Sequence, residues 1–205
     1  MSTATAPEAS RPPPLIWQAP QVAIVFFGFL AVGLPLPALP RYIHDALGYG
    51  PIVVGWAVGL QSLVTELTRG PGGAFADSRG PRNAVLTGLP CAILAGFAYL
   101  ASAFTAQAPL VSLGVLLVGR VLLGVAESLF LVGTMTWGIA RVGAQNTGRV
   151  MAWQGIAMYA ALGLGAPVGL WLQQRFGFVA VAAATIALPF VALAVALRMP
   201  ALSLG

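Results

Sequence analysis

Two charged residues lie inside one long apolar stretch of the chain, and their types and spacing suit the handling of protons. Arg120 and Glu127 both fall in the run 109–137, which is otherwise dominated by hydrophobic residues. Seven helical positions correspond to about 700° of rotation, so the two side chains lie within about 20° of each other on one face. The rise between them is ~10.5 Å, which is too long for a firm direct ion pair. A bridging water or substrate could connect them.

An arginine in the middle of such a run is costly, at least ~2.5 kcal/mol on insertion scales, unless it faces the interior of a bundle. Charged residues in a membrane are therefore candidates for function by default. We therefore single out Arg120, Gly124 and Glu127, on one helix, as candidate functional residues that face the interior of a bundle. The alternative is a structural ion pair that fixes this helix to a neighbour. For Glu66, three residues before Arg69, a local ion pair is favoured over a proton-carrying role.

The densest group of charges lies between two apolar runs, at 73–82. Gly73 and Gly80 permit tight turns there, because glycine adopts positive φ at no steric cost. Asp77 is followed by Arg79 and Arg82, which could pair with it at a membrane surface. We single out Gly73, Asp77, Gly80 and Arg82 as the candidate functional residues of this loop. The alternative is an ordinary charged loop that marks one face of the membrane.

The residues of the common catalytic sites do not come together in the sequence. The single histidine, His44, cannot build a zinc site, and no His-Glu-x-x-His pair occurs. Ser128 lies beside Glu127 without a base placed to activate it, and no phosphate-binding glycine loop is present. We therefore expect no enzyme activity, no metal and no cofactor. The ten basic residues are all arginine and are scattered singly, which argues against nucleic acid as a partner.

The composition indicates an integral membrane protein. Hydrophobic residues make up 59% of the chain and charged residues 7%, against about 25% charged residues in soluble domains. The mean hydropathy is +0.90. A helix needs ~20 mostly apolar residues to cross a bilayer, and Gly/Pro-rich breaks separate segments of that length. The sequence thus predicts an all-α membrane protein with six spans, at about 21–43, 51–69, 84–105, 109–137, 150–172 and 177–198.

The distribution of arginine predicts the orientation of these spans. With the N-terminus inside, seven arginines lie on the inner side and two on the outer side, which is a positive-inside bias. We therefore expect a disordered cytoplasmic arm at 1–20, a six-helix domain at 21–199 and a cytoplasmic tail at 200–205. The inner set is Arg11, Arg69, Arg79, Arg82, Arg141, Arg149 and Arg198, and the outer set is Arg41 and Arg175.

Two spans carry residues that shape the helix itself. Pro35, Pro37 and Pro40 fall within six residues of the first span and must bend or unwind it. Broken helices are tolerated in a membrane where they line protein or a water-filled cavity; a capped helix end is the alternative. In the fifth span, small residues recur every four positions and predict close helix packing. This packing set is Ala161, Gly165 and Gly169, with Pro167 between the last two.

These motifs together resemble the major facilitator superfamily, over residues 20–200. The loop Gly73-x-x-x-Asp77-x-x-Gly80-x-Arg82 is similar to the family's signature loop between the second and third helices. Arg120-x-x-x-Gly124 resembles its fourth-helix motif, which implies a proton-coupling site with Arg120, Gly124 and Glu127 lining the cavity. The proline segment resembles the first-helix motif of its drug–proton antiporters. The fifth span matches the antiporters' glycine-rich motif in part. Within the superfamily the chain is most similar to bacterial efflux-like permeases of the YhhS/YfcJ type.

The resemblance implies a fold and a mechanism. The fold is the N-terminal six-helix half of the family, made of two inverted three-helix repeats, with spans one and four lining the cavity. The mechanism is alternating access, with proton-coupled efflux of a small molecule across the bacterial cytoplasmic (inner) membrane. The Asp77 carboxylate would hold one closed state by contact with a helix end in the other half. Protonation of Glu127 or Asp77 would bias one state over the other.

The length of 205 residues is about half of what such a transporter needs. The expected partners are the lipid bilayer, a small-molecule substrate, the proton as coupling ion, and a missing C-terminal half or a second copy of the chain. A fragment of a longer protein is the favoured interpretation, with a degraded gene or a dimerising half-transporter as alternatives. A six-span assembly subunit that transports nothing is a further alternative, although it would not need two charges on one face.

Overall fold

Six helices in the computed structural model are long and apolar enough to cross a membrane. The structure describes residues 18–200, and these contain no strand. The first span comprises α1, α2 and a π-helical turn, and the other five are α3 to α7. In chain order the elements are α1 (Ala19–Gly33), α2 (Pro35–Arg41), the π turn (Tyr42–Ala46), α3 (Pro51–Arg79), α4 (Pro81–Phe104), α5 (Pro109–Val142), a 3₁₀ turn (Ala144–Asn146), α6 (Thr147–Phe176) and α7 (Phe178–Arg198).

The predicted arm overlaps the first helix, which already begins at Ala19. The rest of the arm, like the tail from 201 onward, lies outside the described residues.

Glycine and proline end and restart the helices. Between α3 and α4 the single residue Gly80 has φ of 90°, a conformation that a residue with a Cβ rarely adopts. Gly177 makes the corresponding link between α6 and α7 with φ of 76°. Three helices that follow a loop or turn, α3, α4 and α5, begin with a proline, at Pro51, Pro81 and Pro109. Proline at the first helical position loses no hydrogen bond, because that N–H has no partner within the helix.

The predicted end of the second span at about residue 69 is wrong, because α3 runs without interruption through Gly70 and Pro71 to Arg79. Gly73 therefore makes no turn, and the turn glycine of this segment is Gly80 alone. A proline inside a membrane helix is tolerated where neighbouring groups compensate the lost backbone bond. The helical continuation also brings Gly72 against α5, where a Cβ would come within 2.9 Å of Ser128 Oγ. The predicted charged loop is thus the last part of α3 and the first turn of α4.

The three prolines of the first span interrupt the hydrogen-bond ladder while the backbone stays helical. Because proline has no N–H, Pro35, Pro37 and Pro40 cannot donate to the carbonyls four residues before them. The helix is divided at Leu34, whose φ of −57° and ψ of −49° remain helical. After Arg41 the chain continues as the π turn to Ala46. The prolines therefore lie within the span and do not terminate it.

The α4–α5 pair shows how glycine lets antiparallel spans approach. A Cβ on Gly133 would come within 2.9 Å of the Pro81 carbonyl oxygen, and one on Gly119 within 2.7 Å of the Tyr99 ring. Near the middle, a Cβ on Gly88 would come within 2.9 Å of the Ala126 carbonyl oxygen. Each of these distances is shorter than real Cβ contacts, so only glycine permits this spacing.

Hydroxyl groups join the first, third and fourth spans at the end of the bundle that holds the π turn. Tyr42 donates to the Ser102 carbonyl at 2.9 Å and lies 3.0 Å from Ser112 Oγ. Ser102 Oγ and Ser112 Oγ are 2.8 Å apart. The Tyr42 ring also stacks on Phe178 of α7, with ring centres 4.0 Å apart. Four spans therefore meet at one buried tyrosine.

The fifth span packs on the first through the small residues that the sequence singled out. Ala161, Gly165 and Gly169 are buried on one face of α6. A Cβ on Gly165 would come within 3.2 Å of the Gly33 backbone, and one on Gly169 would overlap the Leu34 carbonyl oxygen. The small-residue ridge of α6 therefore receives the first span at the point where its ladder is divided. Pro167 lies on the exposed side of the same helix.

The helix pairs follow the relation between two inverted three-helix repeats. The first span packs on α6, and α3 packs on α5. In such repeats, spans one, two and three are equivalent to spans four, five and six. The pair of the first span and α6 is therefore equivalent to the pair of α5 and α3. Likewise the pair α4–α5 is equivalent to the pair α7–α1, and the pair α4–α7 is equivalent to itself; all of these pairs are in contact. The structure therefore has the architecture of six membrane helices in two inverted repeats.

The substitution Gly169→Ala should lower the free energy of unfolding by about 1–3 kcal/mol, as overpacking does. The added methyl group would overlap the Leu34 carbonyl, which belongs to backbone and cannot rotate away. Thermal unfolding of the purified chain in detergent measures the effect. Gly163→Ala is the matched control, since nothing lies within 4 Å of a Cβ at that exposed position of the same helix. Equal melting temperatures for the two variants would contradict the packing described here.

Candidate functional site

The candidate site lies where α5 crosses α3, and we call it the α3/α5 polar contact. It consists of Ala57, Val58, Gln61 and Thr65 on α3, and Arg120, Gly124 and Glu127 on α5. The α5 residues are spaced by four and three positions, so they share a helix face. Helix α3 buries only a narrow stripe of five residues against the rest of the bundle. Ala57, Gln61 and Thr65 belong to that stripe, which directs these polar groups to α5.

Arg120 is buried, with 1% of its surface exposed, and its guanidinium bonds to two neighbouring spans. Its Nε donates to the Ala57 carbonyl at 2.9 Å, and one terminal nitrogen donates to the Val58 carbonyl at 2.7 Å. The other terminal nitrogen donates to the Tyr99 hydroxyl of α4 at 3.3 Å. A carbonyl oxygen has two lone pairs, so these helical carbonyls can accept a second bond. Arg120 thus joins α3, α4 and α5.

Gly124 explains how the guanidinium reaches the backbone of α3. A Cβ at Gly124 would lie 2.7 Å from the Gln61 carbonyl oxygen and 2.9 Å from Val64. Any side chain there would push the two helices apart. The glycine one turn after Arg120 therefore sets the close approach on which the hydrogen bonds of Arg120 depend.

Glu127 is half-buried and is held by uncharged donors. Gln61 Nε2 donates to Glu127 Oε2 at 2.9 Å, and the Thr65 hydroxyl lies 3.2 Å from the same oxygen. The Thr65 hydroxyl also lies within 3.3 Å of the carbonyls of Gln61 and Gly124. Its single hydrogen cannot fully satisfy three acceptors. The bond from Gln61 is therefore the principal fixed contact of this carboxylate.

Arg120 and Glu127 lie on one face of α5, as the helical spacing predicts, and they form no ion pair. The ion pairs within residues 18–200 are Arg41 with Asp45 at 3.4 Å and Arg69 with Glu66 at 3.0 Å. The second confirms the predicted local pair, and both of its side chains are largely exposed. Arg120 and Glu127 are instead each hydrogen-bonded to groups of α3.

The predicted gating residues lie at one end of the bundle, away from this contact. Asp77 is exposed in the last turns of α3, and neither Arg79 nor Arg82 forms an ion pair with it. Arg82 is half-buried at the start of α4, and its Nε is buried without a hydrogen-bond partner among residues 18–200. Gly73 is helical and has nothing within 4 Å of its Cβ position. The structure therefore brings Gly80 and Arg82 together at a turn, with Asp77 on the surface beside it.

The proline segment borders an open cavity of about 570 Å³ at the end of the bundle where the π turn lies. Pro40, Arg41, His44 and Asp45 line it from the first span, and Pro51 and Val54 from α3. His44 Nδ1 lies 3.1 Å from the Tyr49 carbonyl oxygen. Pro35 is buried and Pro37 is half-buried within the bundle. Of the three prolines, only Pro40 lines this cavity.

Sequence reasoning missed three side chains that bond to Arg120 or Glu127: Gln61 and Thr65 of the α3/α5 polar contact, and Tyr99 of α4. Gln61 and Thr65 are polar residues one turn apart in an apolar run, which is a signal that could have identified them. Tyr99 carries no such signal, because a tyrosine in an apolar helix is common and its partner lies 21 residues away in sequence. In the part of the chain that the structure describes, no group of three or more metal-binding side chains occurs.

Comparison with known proteins identifies relatives over most of the chain. A family model described as Major Facilitator Superfamily matches residues 22–202. An uncharacterized MFS-type transporter of Salmonella typhimurium is 40% identical over 178 residues, which cover 87% of this chain and 46% of the relative. The uncharacterized MFS-type transporter YhhS of Escherichia coli K12 is 39% identical over 182 residues, covering 87% of this chain and 45% of the relative. A further one from Burkholderia mallei is 44% identical over 154 residues, 75% of this chain and 38% of the relative.

The substitution Arg120→Lys should destabilise the chain by about 1.5–3 kcal/mol for each lost hydrogen bond to the charged group. An ammonium group is a point donor and cannot reproduce the fork that spans two carbonyls and a hydroxyl. Chemical or thermal unfolding of the purified chain in detergent measures the loss. Arg69→Lys is the control, because its side chain is 48% exposed and keeps access to Glu66. If both variants unfold alike, Arg120 does not stabilise the crossing of α3 and α5.

Proposed function

The chain belongs to the major facilitator superfamily of membrane transporters, and on that premise we propose that it forms one half of a proton-coupled exporter. The chain spans less than half the length of the relatives it matches. In this proposal the complete carrier exports a small molecule by alternating access, in exchange for protons. The observation that carries the proposal is the carboxylate of Glu127, half-buried inside a six-span bundle and bonded to neutral donors of another span.

A carboxylate in this environment is suited to exchange a proton. A charge in a medium of low dielectric is costly unless it is paired, and Glu127 has no ion-pair partner within residues 18–200. A proton neutralises the group and removes that cost. Since Glu127 bridges α5 and α3, a change in its charge alters the contact between the two inverted repeats. Such a coupling between protonation and helix position is what alternating access requires.

The exposed faces of α3 and α6 support a second six-helix unit as the partner. Both helices bury only one narrow stripe and expose large apolar side chains on the other side. Trp56 and Leu67 of α3 are each 69% exposed, and Tyr159 of α6 is 71% exposed. The second unit is the C-terminal half of a longer chain or a second copy of this one. The substrate would bind between the two units, within the bilayer.

The end of the bundle that carries Gly80 is proposed as the cytoplasmic side of the bacterial inner membrane. Most arginines lie at this end, as the positive-inside rule favours. Asp77 is exposed there, so it is free to meet a helix terminus of the second unit. A carboxylate is stabilised at the N-terminal end of a helix dipole. In the proposal, this contact closes the cytoplasmic side, with Gly80 and Arg82 shaping the turn beside it.

The size of the native product tests the two-unit arrangement. Membranes of the source cells would be probed for the N-terminal region of the chain. A product of roughly twice this length identifies the chain as the front half of one carrier. A stable product of this length requires that two copies assemble, which cross-linking between cysteines placed at position 56 of each copy detects. A monomer of this length contradicts the proposal and favours a six-span subunit without transport.

The substitution Glu127→Gln should abolish proton-coupled export, because the amide cannot bind and release a proton. The assay uses everted membrane vesicles, acidified inside by respiration and containing the native carrier. A panel of cationic, neutral and anionic amphipathic dyes is added, and discharge of the pH gradient is followed. The control is Glu66→Gln, which removes an exposed carboxylate of α3 that is 65% accessible and should leave discharge unchanged. Unchanged discharge in Glu127→Gln would remove Glu127 from the mechanism.

A further inference from the structure

We propose that the side-chain amide of Gln61 holds the Glu127 carboxyl group in both of its protonation states, first as a hydrogen-bond donor and then as an acceptor. This inference rests on the proposed function, in which Glu127 takes up a proton. It assigns Gln61 as a positioning residue that keeps α3 and α5 joined while the charge between them changes.

In the structure, the Gln61 amide is the donor of its hydrogen bond to Glu127. Gln61 Nε2 donates to Glu127 Oε2 at 2.9 Å, which is a charge-assisted bond to a carboxylate. The other end of the amide, Gln61 Oε1, is buried and has no hydrogen-bond partner among residues 18–200. Glu127 Oε1 also accepts no hydrogen bond from them. A buried carbonyl oxygen without a partner is uncommon and requires an explanation.

The acceptor state follows from adding a proton to Glu127 Oε2. The bond formed is O–H on Glu127, the bond broken is an O–H of hydronium, and a neutral water molecule is released. The new O–H would then point at the N–H of Gln61, so two donors would face each other. A half-turn about the terminal torsion of Gln61 exchanges its nitrogen and oxygen, and that torsion is soft in glutamine. The buried Oε1 then accepts from the acid, and the contact between α3 and α5 is kept.

Thr65 is the other candidate acceptor, and the shorter contact of Gln61 with Glu127 Oε2, 2.9 Å against 3.2 Å, favours Gln61. The Thr65 hydroxyl lies 3.2 Å from Glu127 Oε2, and it already donates within its own helix to the Gln61 carbonyl at 3.0 Å. If Thr65 accepted the acid proton, Gln61 Oε1 would remain buried without a donor. An unpaired buried polar group is costly. The turned amide pairs the acid hydrogen with Gln61 Oε1, and Nε2 takes the place that Oε1 leaves.

The charges that act on Glu127 are Arg69 of α3 and Arg120 of its own helix. Glu66 on α3 is paired with Arg69. Helix α4 brings the titratable Tyr99, which is bonded to Arg120, and Arg82 at its start. Helix α6 carries Arg149 in its first turn and Arg175 in its last turn, and α1 has no charged residue between Ala19 and Gly33. None of these charged groups lies between Gln61 and Glu127. Gln61, at 2.9 Å, is the nearest side chain to Glu127 that can act as either donor or acceptor.

Nuclear magnetic resonance of the complete chain in lipid nanodiscs tests the inference without a substrate or a second half. The chain has three glutamates, Glu8, Glu66 and Glu127, so ¹³C at the glutamate carboxyl carbons gives few signals. Glutamine side-chain amides carry ¹⁵N. The variants Glu127→Gln, Gln61→Met and Gln154→Met assign the three signals that matter. We expect the Gln61 amide signal to shift over the same pH range as the Glu127 carboxyl signal, and to lose that shift in Glu127→Gln.

Gln154 is the matched control for Gln61. It is 3% exposed against 2% for Gln61, and it belongs to α6. Its amide signal should not follow the titration of Glu127. A Glu127 carboxyl that titrates while the Gln61 amide signal stays constant overturns this inference alone. A Gln61 shift that persists in Glu127→Gln also overturns it. If Glu127 does not titrate, the proposed proton coupling fails together with the inference.

Discussion

A permanently charged guanidinium inside the bundle determines how close its second and fourth spans must be. Arg120 cannot be left in hydrocarbon without partners, because each charged group there costs several kcal/mol. Its partners are backbone carbonyls of α3, which lie at the surface of a helix and are reached only at short range. Gly124, one turn after Arg120, lets α5 come close enough to α3 for these hydrogen bonds. The position of α3, and with it the position of Gln61 and Thr65, follows from this one buried cation.

The two equivalent helix crossings of the inverted repeats use different chemistry. In the crossing of α3 and α5, Arg120 donates hydrogen bonds to backbone carbonyls of α3, and Glu127 accepts one from Gln61. In the crossing of α6 and the first span, the contacts are between glycines and a divided helix at Leu34. The first crossing contains a carboxylate, which can change charge, whereas the glycines of the second crossing meet the backbone of Gly33 and Leu34. The two repeats are therefore joined by a polar contact between α3 and α5 and by a steric contact between α6 and the first span.

The sequence predicts features that depend on composition and on helical spacing. Six spans follow from hydropathy, the shared face of Arg120 and Glu127 from the helical repeat, and the Glu66–Arg69 pair from positions three apart. The end of α3 was mispredicted because Gly70 and Pro71 break helices in water, where freed backbone groups bond to solvent. In a membrane no such solvent is available, so the helical backbone persists. Gln61, Thr65 and Tyr99 depend on which helices become neighbours, and spacing along one helix contains no such information.

Arg120 and Glu127 share a face of α5, and their environments suit them to different tasks. A guanidinium remains protonated under all physiological conditions, and Arg120 is sealed from solvent at 1% exposure. It therefore cannot exchange protons and acts as a fixed charge that joins three spans. Glu127 is half-buried and is bonded to neutral groups of α3. Of these two residues, only Glu127 can gain or lose its charge. Arg120 keeps its charge and its hydrogen bonds to the neighbouring spans.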